Sequence, residues 1–330
     1  MPRFLVPIFV LLAALAAVAF FSLRDAPLTT TEPPTRLRIE RGMGLSAIGD
    51  AVARSGAGWS SWQFQLAARL RGESSRIQAG VYELRGPLTR RGLMGKLVRG
   101  EVLLAEVRII EGWTFLQMRQ TLARHPDLQQ DAAALSDSQL LARIGASEPH
   151  PEGLFMPSTY RFAPGTTDLE IYRQAYRLMK RTLEETWAAR SAAAPLASPY
   201  QALVLASIVE KETGRDSDRE RIAGVFANRL RIGMMLQSDP TTIYGIGPRF
   251  DGNLRRADLR ADTPYNTYTR GGLPPTPISL PGKASLAAAL NPHPFPALYF
   301  VARGDGSSEF SNDLAAHQRA VDRYQRKGGS

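Results

Sequence analysis

Ser198-Pro199-Tyr200-Gln201-Ala202-Leu203-Val204-Leu205-Ala206-Ser207-Ile208-Val209-Glu210-Lys211-Glu212-Thr213-Gly214 is the stretch on which the reading of this chain turns. Ser198 is a good N-cap, Pro199 suits a first helical position and Gly214 a C′ position, so a helix over Pro199 to Thr213 is expected. Its residues from Ala202 to Val209 are apolar on nearly every side, which places the helix in a core. Yet it ends in Glu210-Lys211-Glu212. Glu212 shares a face with Leu205, Ile208 and Val209, whereas Glu210 points about 160° away at the helical period. Both acids stand in the last turn, where the helix dipole disfavours negative charge by about 0.3–1 kcal/mol. Burial and the dipole therefore both favour a protonated Glu212, the state a general acid needs near neutral pH. The same pattern also fits glutamates that pair with Lys211 or Arg215 and solvate a helix end. Residue pattern alone leaves both open.

Working outward, a second helix is expected from about Asp218 to Arg231, followed by loops dense in Gly, Pro, Asn and Thr from Gly233 to Gly282. Gln237-Ser238-Asp239-Pro240, Thr241 to Gly245, Thr263 to Tyr268 and Gly271 to Pro275 suit either a sugar groove or ordinary turn chemistry. Leu298 to Ala302 and Glu309 to Ser311 flank Gly304-Asp305-Gly306 as a hairpin, and Leu314 to Arg326 reads as a final helix. Ser207 has neither a G-x-S-x-G elbow nor a nearby His, so a serine hydrolase is not expected.

On the amino-terminal side, helices are expected over Thr114 to Arg124 and Asp168 to about Arg190, joined by a loop carrying Glu152 to Pro157. Further back, Leu37 to Glu40 and Gly80 to Leu84 read as strands around helices at Ser46 to Arg54 and Ser60 to Arg71, a βααβ module. Another helix is expected over Thr89 to Arg99, then a strand within Val102 to Ile110. Asp25 to Thr35, with Pro27, Pro33 and Pro34, reads as an extended stalk. Phe4 to Leu23 carries no charge over twenty residues. At 1.5 Å per residue such a run spans about 30 Å, a bilayer core, and exceeds the apolar length of a signal peptide. A retained anchor is favoured over cleavage after Ala19, and either places the rest outside the cytoplasm.

Composition bounds the function. The chain has 330 residues, 44% of them hydrophobic and 22% charged, enough for two domains beyond an anchor. The absence of cysteine excludes disulfides, iron–sulfur clusters and thiol nucleophiles. His125, His150, His293 and His317 show no metal-ligand spacing, so neither a metal nor another cofactor is expected. A net charge of +10 attracts polyanions, but acids are interleaved with the arginines and no long basic run occurs, which argues against nucleic acid.

Ala206 to Thr213, Arg219 to Phe226, Asn228 to Met234, Leu236 to Pro240 and Tyr265 to Tyr268 together closely resemble the endolytic murein transglycosylase family, known as MltG or YceG-like. The likeness runs through nearly the whole chain. It implies an α+β protein: a transmembrane anchor (1–24), a stalk (25–35), a LysM-like module with its following helix (36–100) and a mixed α/β catalytic domain (101–330). It implies cleavage of the β-1,4 bond between N-acetylmuramic acid (MurNAc) and N-acetylglucosamine (GlcNAc) within nascent glycan strands of peptidoglycan, leaving 1,6-anhydro ends and limiting strand length. The family's acid falls on Glu212, with Gln237, Ser238, Asp239, Tyr265 and Asn266 as candidate sugar-binding residues. Implied with it are the inner membrane, a periplasmic catalytic domain and peptidoglycan synthases of elongation or division as partners. Leu154-Phe155-Met156-Pro157 stands where family members often carry a Trp-rich stretch. A competing expectation is a non-catalytic peptidoglycan-binding scaffold.

Overall fold

The computed structural model of the chain describes Phe20 and residues 24–326, so the expected membrane helix, Phe20 apart, falls outside the described residues. Among those residues no helix is long and apolar enough to cross a membrane. The fold is α+β, and the chain divides into two compact units. Among the described residues, one holds those up to Glu106 together with Arg161–Thr166. The other holds Val107–Tyr160 and the chain from Thr167 onward.

The first unit begins with the expected βααβ order. Strand β1 (Thr35–Ile39) pairs antiparallel with β2 (Gly80–Leu84), in a register that sets Leu37 opposite Tyr82. Helices α1 (Leu45–Arg54) and α2 (Ser61–Leu70) lie between them in sequence, followed by α3 (Arg90–Arg99). Leu37, Ile39, Val52, Phe64, Tyr82 and Leu97 form a shared core. Burial of each such side chain stabilises the fold by about 1.5–3 kcal/mol before entropy is set against it. Thr89 caps α3 by accepting from Gly92 N, and Gly100 ends it in the left-handed conformation. The Pro- and Thr-rich stretch read as a stalk does not stand free at its start. Leu28 is buried, its amide donates to Leu88 O at 2.7 Å, and Asp25 accepts from Arg91 N at 3.0 Å. An apolar residue among the prolines suffices to lay the segment on the module.

Strand β3 (Ala105–Arg108), shorter than the expected run, pairs with β5 (Thr159–Phe162), and β4 (Leu128–Gln129) with β6 (Thr166–Thr167). The second unit is otherwise helical: α4 (Phe115–Ala123), α5 (Asp137–Ile144), α6 (Asp168–Ala188), α7 (Pro199–Glu212) and α8 (Asp216–Arg231). After them come α9 (Asp239–Ile246), α10 (Arg256–Arg260) and α11 (Lys283–Leu290). A hairpin, β7 (Tyr299–Ala302) with β8 (Ser308–Ser311), leads into α12 (Leu314–Val321) and a π-helical turn, Asp322–Arg326.

Helix α7 is the axis of this unit. Every residue from Ala202 to Val209 is buried, and the helix packs against α6, α8, α9 and α11. Ser198 caps it by accepting from Gln201 N. Ser207, the one polar residue within the buried run, is fully employed: its hydroxyl donates to Val204 O and accepts from Ile278 N at 2.9 Å, and its carbonyl accepts from Ser279.

Helices α5, α9 and α10 stand where loops were expected, and α11 where no element was assigned. In α9 the helix starts on Asp239 with Pro240 in its first turn, so a Pro read as a turn signal is instead a helix starter. The apolar positions of α11 are spread too evenly to show a period. In α5 the start is marked by a capping box between Ser136 and Gln139.

Gly153 has φ +80°, and a Cβ there would meet Pro277 Cβ at 2.4 Å. Gly153→Ala is therefore expected to lower unfolding free energy by about 2–4 kcal/mol, through backbone strain and the clash together. Urea unfolding of the two proteins measures it; a loss below about 1 kcal/mol would show that the turn relaxes freely.

Candidate active site

Glu212 is the last residue of α7, and it lines a cavity of about 520 Å³. The residue as a whole is half-buried, but the surroundings of its carboxyl are mostly protein. This burial pushes the carboxyl from its ordinary 4.5 up to about 7, and the charge of Asp239 adds to the effect. A hydrogen bond from Ser238 and the Arg229 guanidinium act in the other direction but do not prevail. The acid is thus poised to hold and release a proton near neutrality.

Its partner is unusual in placement. Ser238 is the N-cap of α9, where a serine hydroxyl ordinarily accepts from the helix's own amides, yet it makes no such bond. Ser238 Oγ instead donates to Glu212 Oε1 at 2.5 Å. The chain enters this cap through Gln237, at φ +48° the single non-glycine left-handed residue among those described. Such a backbone costs about 1–3 kcal/mol and is held by its surroundings. Here Gln237 N donates to Thr267 O at 3.0 Å and Ser238 N to Thr267 Oγ1 at 3.0 Å.

The rest of the cavity wall comes from distant segments. Asp239 lines it and accepts a 2.5 Å bond from Tyr268 Oη. Arg229, buried on α8, donates through Nε to Leu298 O at 2.7 Å and through Nη1 to Leu236 O at 2.6 Å. Its guanidinium lies 5.3 Å from the Tyr299 ring centre, and Tyr299 stacks on His317 at 5.1 Å. Burial and Arg229 hold the His317 imidazole below its usual value. Leu314, Val321 and Gln325 complete the wall from the carboxyl-terminal segment.

Of the residues expected at the site, Glu212, Gln237, Ser238 and Asp239 come together. Asn266 does not line the cavity: it is wholly buried, donates to Ala261 O at 2.7 Å and Leu259 O at 3.1 Å, and accepts from Thr242 and Tyr268 N. It is a brace for the loop that carries Thr267 and Tyr268. Tyr265 also lies outside the cavity lining, with its hydroxyl 2.9 Å from Thr276 and its ring edge-on to Tyr244. Tyr268 comes from the Thr263 to Tyr268 stretch that suits a sugar groove, whereas Arg229, Tyr299 and His317 were not expected at the site. They converge through tertiary contacts, and nothing local marks them.

Glu210 is occupied elsewhere, accepting from Gly282 N at 2.8 Å, while Lys211 Nζ donates to Gly112 O at 3.3 Å. Glu212 thus bonds to Ser238, not to its neighbouring lysine. Leu154-Phe155-Met156 is buried, with Phe155 stacked on Phe115 at 5.4 Å, so this loop serves the core. Glu152 beside it is a second buried acid. It accepts from Phe115 N at 2.9 Å, at the start of α4, and from Tyr244 Oη at 3.0 Å, yet burial still pushes it up to about 7.

Fold and site define an α+β protein in which a buried helix delivers an acid to a cavity and burial holds it near its proton-exchange point. The chain belongs to the YceG-like family, whose model matches residues 37–323. It is 32% identical over 305 residues to the Bacillus subtilis (strain 168) protein named endolytic murein transglycosylase, covering 87% of this chain and 84% of that one. A relative of the same name from Streptococcus pneumoniae serotype 2 is 26% identical, with 96% of this chain and 64% of that one covered. A crystal structure of a putative YceG-like protein from Listeria monocytogenes shares 27% identity at a TM-score of 0.55, covering 88% of this chain and 99% of that one.

The two buried acids carry a consequence for stability. Glu152 titrates near 7 in the folded chain and near 4.5 when unfolded, so between these values the folded state keeps a proton that the unfolded state has lost. Stability therefore falls as pH rises from about 4.5 to 7. Glu212 acts in the same sense. Glu152→Gln is expected to flatten the decline in melting temperature between pH 5 and pH 8 without abolishing it; an unchanged decline would assign it to other groups.

Proposed function

We propose that this chain is an endolytic murein transglycosylase, which cuts the MurNAc–GlcNAc β-1,4 bond within peptidoglycan strands. The observation that carries this is Glu212: one carboxyl, held near 7 by burial, facing an open polar cavity at the end of a rigid helix. The relatives' shared name supports the substrate class.

Protonated Glu212 gives its proton to the glycosidic oxygen as the bond to muramoyl C1 breaks. The resulting carboxylate then accepts the proton of the muramoyl C6 hydroxyl, whose oxygen bonds to C1 and closes the 1,6-anhydro ring. No water is consumed. Because the nucleophile belongs to the substrate, one acid serves both proton transfers, whereas a hydrolase must position a second carboxylate and a water or a covalent intermediate. Ser238 fixes the rotamer of Glu212, and Gln237 and Asp239 offer amide and carboxylate groups to sugar hydroxyls.

In this reading the uncharged segment Phe4 to Leu23 anchors the chain in the inner membrane, with the catalytic unit in the periplasm beside the peptidoglycan synthases. The βααβ module serves as a LysM-like glycan-binding element. Confinement to the membrane raises the effective concentration of enzyme at newly made strands, which limits their length. Expected in cell fractionation is that the chain remains in the membrane pellet after carbonate extraction; release into the soluble fraction would refute the anchor.

Glu212→Gln is expected to lower strand cleavage about 10²–10⁴-fold while leaving the protein folded and able to pellet with peptidoglycan. Glu210→Gln should keep most activity, since Glu210 holds a backbone amide away from the cavity. Mass analysis of wild-type products should show ends one water lighter than hydrolysis gives. Reducing ends instead would make the enzyme a hydrolase, and wild-type rates from Glu212→Gln would refute the mechanism.

A further inference from the structure

Two carboxyl side chains, not one, line the cavity. Glu212 arrives from the end of α7 and Asp239 from the start of α9. They are brought together by consecutive residues: Ser238 bonds to Glu212, and Asp239, next in the chain, is fixed by Tyr268 Oη at 2.5 Å. Tyr268 is itself placed by its backbone amide, which donates at 2.9 Å to the buried Asn266. The aim of Asp239 is thus built from the core outward, an investment that a solvating surface acid does not need. Asp239 is exposed, and its neighbour Arg229 is committed through Nε and Nη1 to backbone carbonyls. The carboxylate is therefore open to a ligand.

We infer that Asp239 is a second catalytic carboxylate, whose charge stabilises the positive charge that develops on the muramoyl ring as Glu212 gives up its proton, with Tyr268 as its positioning residue. This rests on the cleavage reading above. Asp239 forms no covalent bond to the sugar; the C6 hydroxyl still supplies the nucleophile. As the C1–O bond lengthens, C1 and the ring oxygen share a positive charge that neutral sugar hydroxyls in the ground state lack. A fixed negative charge stabilises the transition state more than the bound substrate, so its removal should act on kcat and spare KM.

The Asp239 charge has a second effect, on the proton of Glu212. The titratable or charged groups facing Glu212 across the cavity are Asp239 on α9, Arg229 on α8, Tyr268 in its loop, Tyr299 on β7 and His317 on α12. Of these, Asp239 raises the Glu212 carboxyl and Arg229 lowers it. Neutralising Asp239 must move the loss of activity on the alkaline side to lower pH.

The test uses the full-length chain in detergent on uncross-linked glycan strands of alternating GlcNAc and MurNAc. Asp239→Asn keeps the side-chain shape and can still accept from Tyr268. It is expected to lower kcat about 10–100-fold with KM within about twofold, and to shift the alkaline limb to lower pH. Tyr268→Phe, which leaves the charge but frees its aim, should lower kcat less and leave that limb nearly in place. Unchanged melting temperatures and retained pelleting with peptidoglycan would show that both variants are folded. An Asp239→Asn kcat within about threefold of wild type, or a loss confined to KM, would overturn the role of Asp239 while leaving the transglycosylase reading intact. A wild-type chain that cuts no strand would overturn both.

Discussion

A helix that is apolar on every side exists in water only if other elements enclose it, and this requirement of α7 organises the second unit. Helices α6, α8, α9 and α11 pack around it, and Ser207 is tied at both its hydroxyl and its carbonyl to the 278–279 segment. The enclosure has an end, and Glu212 stands there. Because α7 is clamped along its length, its last residue has little freedom to move, and Glu212 is delivered to the cavity with a fixed height and direction. The desolvation that raises its proton affinity follows from the packing that holds the helix.

Glu152 and Glu212 show how similar energetics serve different ends. Burial pushes each to about 7. Glu152 spends its hydrogen bonds on Phe115 N and Tyr244, within the core that also holds Phe155. Glu212 has one short bond, to Ser238, and lines the cavity. Proton affinity alone does not distinguish a structural acid from a catalytic one; access to a substrate does.

The sequence was most legible where structure is decided locally. The limits of α7, the contrast between the faces of Glu210 and Glu212, the βααβ order and the closing hairpin all follow from caps, periodicity and turn residues. The helix α9 was missed because Asp239-Pro240 is as good a turn signal as a helix start, and only the tertiary bond of Ser238 decides between them. Asn266 was read as a sugar ligand because an Asn in a Gly- and Pro-rich loop is open to either role until its burial is known. Arg229, Tyr299 and His317 had no local signal at all. They become neighbours only when α8, β7 and α12 have docked.

The cavity wall is closed by the last segment of the chain, since Leu314, His317, Val321 and Gln325 line it together with Glu212. A polypeptide is synthesised from its amino end, so α7 and its acid emerge well before the segment that completes their surroundings. Folding of this site is therefore bound to be late, governed by contacts distant along the chain. A nascent or prematurely terminated chain would carry the acid without its pocket. For an enzyme aimed at the polymer that holds the cell together, that order of assembly acts as a safeguard, since the acid meets its completed cavity only after α12 has docked.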